Sequence, residues 1–389
     1  MGTMRKLLII AAVVVVSGMV FGYAAKHAVG QEPYKIGQIG SITGFGSYYG
    51  IIQREAALLA VEDINKRGGI NGHPVKLTVY DNESDTTKGI LAVKKLIEVD
   101  DALIVFGPNM TGDFKAATPI YEEKNVVGIS TSGSAAVGLP TKKWIFQISN
   151  CSDWAAYRRV EFCKERGWTK IGLLTENSAL AMDESADCKK AAAKLGLQVI
   201  VEETMGPTDL DMSPQLVKIS AAKPDAILAT GSSSLIIAAK NRKTLGIKIP
   251  FVGGGTLATY TFINVAKDAA EGVFVGGAGL LTAPDQIPDS HVCKKQASYI
   301  DKLFMEKYKK HADSYAGNIW DPYLIVFEAL KRSGPDRVKL RNEIEKTKNF
   351  VGVQGVFTFS PEVHRGPGVE YLAMYEIVGG KFRLASLRK

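Results

Sequence analysis

The sequence predicts an α/β fold of two Rossmann-like lobes, each a parallel-dominated sheet covered by helices. Three observations lead there. Apolar strand-like runs alternate with amphipathic helical stretches from Tyr34 onward, the pattern of a parallel sheet buried on both faces. That alternation restarts after about residue 144. The length of 389 residues also exceeds the ~250–300 at which a single hydrophobic core stops growing.

The first unit shows the pattern well. A strand over 34–42 runs through a glycine-rich loop into a helix over 51–66, whose Ile52, Ala56, Leu59, Val61 and Ile64 recur mostly three or four apart. Gly68 and Gly69 stop it. Strands over 75–80, 103–106 and 126–129, with helices over 86–99 and 112–123, complete a first layer. After a strand over 144–148, a second run reads as helices over 153–166, 182–195, 213–222, 235–245 and 257–267. Its strands fall over 170–175, 198–201, 226–229 and 250–252. No residue-level repeat relates the two runs. Beyond 273–276 the character changes. Helical stretches over 291–310, 318–332 and 338–347 precede short strands over 356–359, 371–377 and 382–385, a tail that completes both lobes.

Residues 1–30 stand apart. Arg5 and Lys6 precede an uncharged apolar run over 7–16, then small residues at Ser17, Gly18, Gly22, Ala24 and Ala25, which reads as a secretory signal peptide. Cleavage after Ala24 or Gly30 leaves small residues one and three positions before the cut. An uncleaved anchor competes, because residues 7–25 carry no charge and approach the ~20 needed to span a bilayer. The short apolar core favours cleavage and a free periplasmic protein. No cysteine lies near this segment, so a lipid anchor is not expected.

Composition excludes several classes. A 46% hydrophobic and 23% charged chain is neither disordered nor a multi-span membrane protein. The formal charge of +8 loses Arg5, Lys6 and Lys26 with the leader, and the remaining basic residues are dispersed, so no nucleic acid is implied. Cys151, Cys163, Cys188 and Cys293 form no C-x-x-C pair and have no histidine at ligand spacing, so no metal is expected. Pairing of Cys163 with Cys188 and burial as free thiols both remain open. His27, His73, His291, His311 and His364 read as solvated groups, and no nucleophile elbow, zinc-binding helix or phosphate loop occurs. Neither an enzyme nor a cofactor is expected.

Three loops are candidates for a site. Residues 43–50 follow a strand and open a helix, which invites a dinucleotide reading strengthened by Asp81, but the third glycine lies one position too far along. A turn that needs glycine explains them equally well. The stretch Gly107-Pro108-Asn109-Met110-Thr111-Gly112-Asp113 joins a strand to a helix, whose N-terminus suits a carboxylate, with Thr111 either a donor or simply a cap. Ser130-Thr131-Ser132-Gly133-Ser134 follows the next strand at the same carboxyl edge. Two hydroxyl-bearing loops on one edge are more informative than either alone.

At this point the chain resembles the branched-chain amino-acid-binding (Leu/Ile/Val-binding) family of periplasmic proteins. The carriers are Ile42-Thr43-Gly44 with Tyr49-Gly50, the run from Ala60 through Glu62-Asp63-Ile64-Asn65 to Gly68-Gly69-Ile70-Asn71-Gly72, Tyr80-Asp81-Asn82, and the Gly107 to Thr111 loop. Pro119-Ile120-Tyr121-Glu122, Ala270-Glu271-Gly272 and Phe357-Thr358-Phe359 extend the likeness over nearly all of 34–389. The resemblance implies the type I periplasmic-binding fold: two lobes joined by a three-strand hinge near 148–152, 273–276 and 372–375. It places the first lobe at 31–149 plus 276–372 and the second at 150–275 plus 373–389. It also implies closure on a small carboxylate-bearing solute, delivery to the membrane permease and ATPase of an ABC importer, and a monomer. A periplasmic sensing subunit is the alternative, and a nucleotide-dependent enzyme a distant third.

By the same resemblance, Thr111 and Ser134 hold the solute's carboxylate, with Ser132 supplying backbone, Asn109 and Gly133 beside them, and Tyr49 before the first helix. The second lobe departs from the family. Gly255 stands where amino-acid binders place the glutamate that pairs the ammonium, Leu180 where they close with a tyrosine, and Ser232 at another tyrosine position. An unpaired buried ammonium costs several kcal/mol, so either Glu176 or Asp183 substitutes or the solute is not an α-amino acid. The sequence favours the second, with Trp154, Tyr157 and Tyr260 either a wall for an aromatic or aliphatic carboxylate or lobe core.

Overall fold

A computed structural model describes residues 31–388, so the signal peptide expected over 1–30 lies outside the described residues. The first half alternates strictly. It runs β1 (Tyr34–Gly40), α1 (Ser47–Lys66), β2 (Val75–Asp81), α2 (Thr86–Glu98), β3 (Ile104–Phe106), α3 (Thr111–Lys124), β4 (Val127–Ser130), α4 (Ala135–Gly138) and β5 (Ile145–Gln147). These strands form one five-stranded sheet in the order β2-β1-β3-β4-β5, parallel throughout.

The second run gives α5 (Ser152–Glu165), β6 (Lys170–Glu176), α6 (Ala179–Leu195), β7 (Gln198–Met205), α7 (Ser213–Ala221), β8 (Ala226–Thr230), α8 (Ser234–Thr244), β9 (Phe251–Gly253), α9 (Tyr260–Ala266) and β10 (Phe274–Ala278). Then follow α10 (Lys294–Tyr308), α11 (Ser314–Ser333), α12 (Arg337–Glu345), β11 (Phe350–Val351), β12 (Val356–Phe357), β13 (Ala373–Val378) and β14 (Lys381–Leu387). The second sheet has seven strands in the order β14-β13-β10-β9-β8-β6-β7, antiparallel only at β10-β13 and β13-β14. The chain therefore passes between the sheets three times. The first passage, between β5 and α5, is irregular; at the other two, β10 and β13 lie side by side with Val275 opposite Tyr375.

Both faces of the first sheet are covered, which explains the near-continuous apolar strands. Val105 and Ile39 pack with Leu96, Phe114 and Tyr121 of α2 and α3 on one face. On the other, Phe106 stacks on Tyr323 of α11 at 4.1 Å, and the Tyr323 hydroxyl donates to Gln38 Oε1 at 2.9 Å. Thus α11, though distant in sequence, belongs to the first sheet.

Three boundaries differ from expectation in ways that matter. Helix α11 starts at Ser314, not 318, because the Asp313 carboxylate accepts from the amides of Tyr315 at 2.9 Å and Ala316 at 3.2 Å; Gly317 conceals that turn in the sequence. Helix α6 starts at Ala179, which puts Leu180 in its first turn. The helix expected over 257–267 is split, because Thr259 Oγ1 accepts from the Phe262 amide at 3.1 Å and caps a fresh start.

One reading is corrected and one open choice is decided. His364 is buried, not solvated: it stacks on Phe146 at 4.0 Å, and its Nε2 lies 2.9 Å from Glu345 Oε1. Of the four cysteines, all are buried free thiols, so Cys163 and Cys188 do not pair. No helix among the described residues is long and apolar enough to cross a membrane.

Candidate functional site

Loops leaving the carboxyl ends of β3, β4, β6, β8 and β9 converge between the sheets, where open α/β folds leave backbone groups free to meet a ligand. They enclose two adjoining cavities of about 80 and 70 Å3 that share Thr131, Gly133, Leu180, Thr256 and Tyr315. A larger groove of about 920 Å3, bordered by Arg67, Trp320 and Glu343, sits apart on the outer side of the first sheet's helices and shares no residue with them.

The larger of the two cavities gathers Tyr49, Asn109, Thr111, Ser132, Gly133, Leu180 and Ser232. Thr111 opens α3, whose preceding residue Met110 offers no side-chain cap, so the first-turn amides retain their positive potential. Thr111 Oγ1 and Ser132 Oγ lie 2.6 Å apart. Two hydroxyls so paired use one proton between them and leave the other free to donate.

Local hydrogen bonds fix these loops. Asn109 is spent inside the first lobe: its Oδ1 accepts from the Ser41 amide at 3.0 Å and its Nδ2 donates to Gln53 Oε1 at 3.1 Å. The Ser132 carbonyl accepts from Gln147 Nε2 at 2.9 Å and Ser149 Oγ at 3.0 Å, while its amide donates to Ser130 Oγ at 3.2 Å. Its hydroxyl, not its backbone, is therefore what Ser132 presents. The Gly133 amide donates to no acceptor among the described residues.

Ser134 is placed differently from its neighbours. Its hydroxyl donates to Asp183 Oδ2 at 2.5 Å, and it lines neither cavity. Asp183 also receives Lys115 Nζ at 2.9 Å, so both its partners come from the first lobe. Leu180 faces Gly133 across the same divide.

Glu176, at the end of β6, is buried and lines the larger cavity. Its Oε2 accepts three hydrogen bonds, from the Ser232 amide at 3.0 Å, Ser232 Oγ at 2.9 Å and Ser234 Oγ at 2.5 Å. Its Oε1 accepts none among the described residues, and no lysine or arginine lines either cavity.

Gly255 borders only the smaller cavity, beside Thr256. Glu184 forms part of that wall and is bound by Arg159 at 2.5 Å, which in turn donates to the Ala229 carbonyl at 3.1 Å. Burial pushes the Glu184 carboxyl up, and the adjacent guanidinium pulls it back.

Of the two readings open for the second-lobe aromatics, the structure does not support the pocket wall. Trp154 lies under the Arg365 guanidinium at 4.4 Å, Tyr157 near Lys194, and Tyr260 against Phe382, and none of the three lines a cavity. Tyr49 and Tyr315 form it instead, stacked 5.1 Å apart. Burial raises both phenols well above their ordinary value, so both are neutral donors. Sequence reasoning missed Tyr315 because it started α11 at 318, and Asn150 because it lies in an irregular passage; nothing in the sequence marked Asn318.

Comparison with known proteins shows the family and the fold. The family model described as periplasmic binding protein matches residues 33–381. A leucine-, isoleucine-, valine-, threonine- and alanine-binding protein of Pseudomonas aeruginosa is 26% identical over 320 residues, covering 81% of this chain and 83% of that protein. The Streptococcus pneumoniae branched-chain amino acid transporter substrate-binding protein LivJ, solved with isoleucine, superposes with a TM-score of 0.82 at 22% identity, covering 90% of this chain and 98% of that one. An ABC transporter solute-binding protein from R. palustris, solved with benzoate, gives 0.80 at 21%, covering 91% and 96%.

Proposed function

This chain belongs to the periplasmic binding protein family, and we propose that it captures a free α-amino acid between its lobes and presents it to an ABC importer. One observation carries this reading: Glu176, whose Oε1 accepts no hydrogen bond among the described residues, lines the same small cavity as Thr111 and Ser132. A buried carboxylate without a counter-ion is costly, and a ligand that carried only a negative charge would aggravate it. A zwitterion resolves both ends at once. Its carboxylate meets the Thr111–Ser132 hydroxyls, the Gly133 amide and the start of α3. Its ammonium meets Glu176.

The absence of a glutamate at Gly255 thus weighs less than it does in the sequence, because Glu176 offers the charge from another strand. Asp183, the other substitute, is taken up by Lys115 and Ser134. Hydrogen bonds to charged groups contribute ~1.5–3 kcal/mol each, so this clasp favours a zwitterion over either singly charged group. The relatives' names bear on the same class: the Pseudomonas protein is named for amino acids, although benzoate occupies the R. palustris structure. The lobe division at 31–149 plus 276–372 and 150–275 plus 373–389, export by a cleaved leader and a monomeric state complete the proposal.

A thermal-shift panel tests it. Common amino acids are compared with matched des-amino acids and with benzoate. At 100 times its dissociation constant a ligand stabilises by ~2.7 kcal/mol, a visible rise in Tm. Stabilisation by an amino acid but not by its des-amino counterpart is expected. Stabilisation by benzoate or by des-amino acids alone would sink the reading.

A further inference from the structure

The smaller cavity carries a pattern that the clasp on the amino and carboxyl groups does not use. Thr131 Oγ1, Asn150 Oδ1, Thr256 Oγ1 and Asn318 Oδ1 are each buried, each without a hydrogen-bond partner, and all four residues line this one space of about 70 Å3. They arrive from four places: the loop after β4, the first passage between lobes, the turn after β9, and the second turn of α11. Folded proteins pair nearly all their buried polar atoms, so four orphans around one cavity mark a place where a bound group supplies the partners.

The chemistry of that group follows from the wall. Its one charged side chain, Glu184, is already neutralised by Arg159 at 2.5 Å, so a full charge entering here would find no free counter-charge. Two of the orphans are amide carbonyl oxygens, which only accept, and two are hydroxyls, which donate or accept. A donor-rich neutral group satisfies them. An apolar group leaves all four unpaired.

We infer that this cavity is a side-chain subsite for a carboxamide or a hydroxyl, so that among α-amino acids the protein selects those with polar, uncharged side chains. The inference rests on the amino-acid reading above, with the side chain reaching the smaller cavity where the two adjoin at Thr131, Thr256 and Tyr315.

Calorimetric titration with shape-matched pairs tests it, asparagine against leucine and threonine against valine. In each pair the polar member is expected to bind ~10-fold or more tightly, because a site built for a hydrogen-bonding group rejects its apolar isostere. In the Thr256→Val and Asn318→Leu variants, each checked for folding by circular dichroism, that ratio is expected to shrink below ~3-fold. Equal affinities within both pairs in the unaltered protein overturn the inference and leave the amino-acid reading standing. Folded variants that keep the full ratio overturn it too. If des-amino acids bind and amino acids do not, the amino-acid reading fails and takes this inference with it.

Discussion

The hydroxyl of Ser134 on the first lobe donates to the carboxylate of Asp183 on the second across 2.5 Å, and Lys115 reaches the same carboxylate from the first lobe at 2.9 Å. Both contacts join the first sheet's side to α6 of the second beside the cleft, and we propose that they act as a latch. A latch present only in the closed form raises apparent affinity by favouring closure, without touching the solute.

Asp183→Ala is therefore expected to weaken solute binding about 3- to 10-fold. The modest figure reflects the partial exposure of Lys115 and Asp183, whose attraction water and salt screen. Ser134→Ala should weaken binding similarly in the unaltered protein and hardly at all on top of Asp183→Ala. Calorimetry on the double-mutant cycle checks this. If Ser134→Ala keeps its full effect in the Asp183→Ala background, Ser134 acts on the solute directly, as the family resemblance implies.

Thr111→Val keeps the shape of the side chain and removes the donor that Ser132 helps to orient. Affinity for the solute should fall ~10-fold or more, the value of a hydrogen bond to a charged group. The carboxamide of the same solute, which has no negative end to lose, should be bound equally poorly by both proteins. An unchanged affinity for the carboxylate would remove Thr111 from the site.

Glu176→Gln tests the other end. The amide still accepts from Ser232 and Ser234 but no longer balances an ammonium. Amino-acid binding is expected to weaken ~10- to 100-fold, with the preference over the des-amino acid lost. If the variant retains that preference, the ammonium is met elsewhere.

Much of this was legible beforehand because strands and helices announce themselves by period. The carboxyl-edge loops at Gly107 and Ser130 stood out for the same reason: each follows a short apolar run and opens a helix. What stayed hidden depends on three-dimensional crossing. Glu176 and Asp183 are equivalent as letters, and only their partners tell them apart: Asp183 is met by Lys115, whereas Glu176 keeps one oxygen free. Tyr315 was missed because Gly317 breaks the helical pattern that Asp313 caps. Trp154 and Tyr157 looked available because aromatic letters do not reveal that Arg365 and Lys194 cover them.

Two buried carboxyls outside the clasp set a pH dependence of stability. Burial pushes Asp313 and Asp321 from the ordinary 3.8 up to about 7, against the pull of backbone amides at Tyr315, Ala316, Val353 and Gln354. Between those values the folded protein holds protons that the unfolded chain has released, so stability rises as pH falls from about 7 towards 4. Asp81, Asp225 and Glu345 have the opposite sign: hydrogen bonds lower their values, and their contribution is lost only as pH falls below the usual carboxylate range. His291, lowered by partial burial, subtracts a little below its ordinary 6.5. Asp113 and Glu184, also raised by burial, act in the same direction, so calorimetry should give a Tm several degrees higher at pH 5.5 than at pH 8. Asp321→Asn removes one of these groups and one acceptor, so its Tm should be lower throughout and the rise between those pH values smaller. A Tm that falls from pH 8 to 5.5 would show that these carboxyls ionise freely in the folded state.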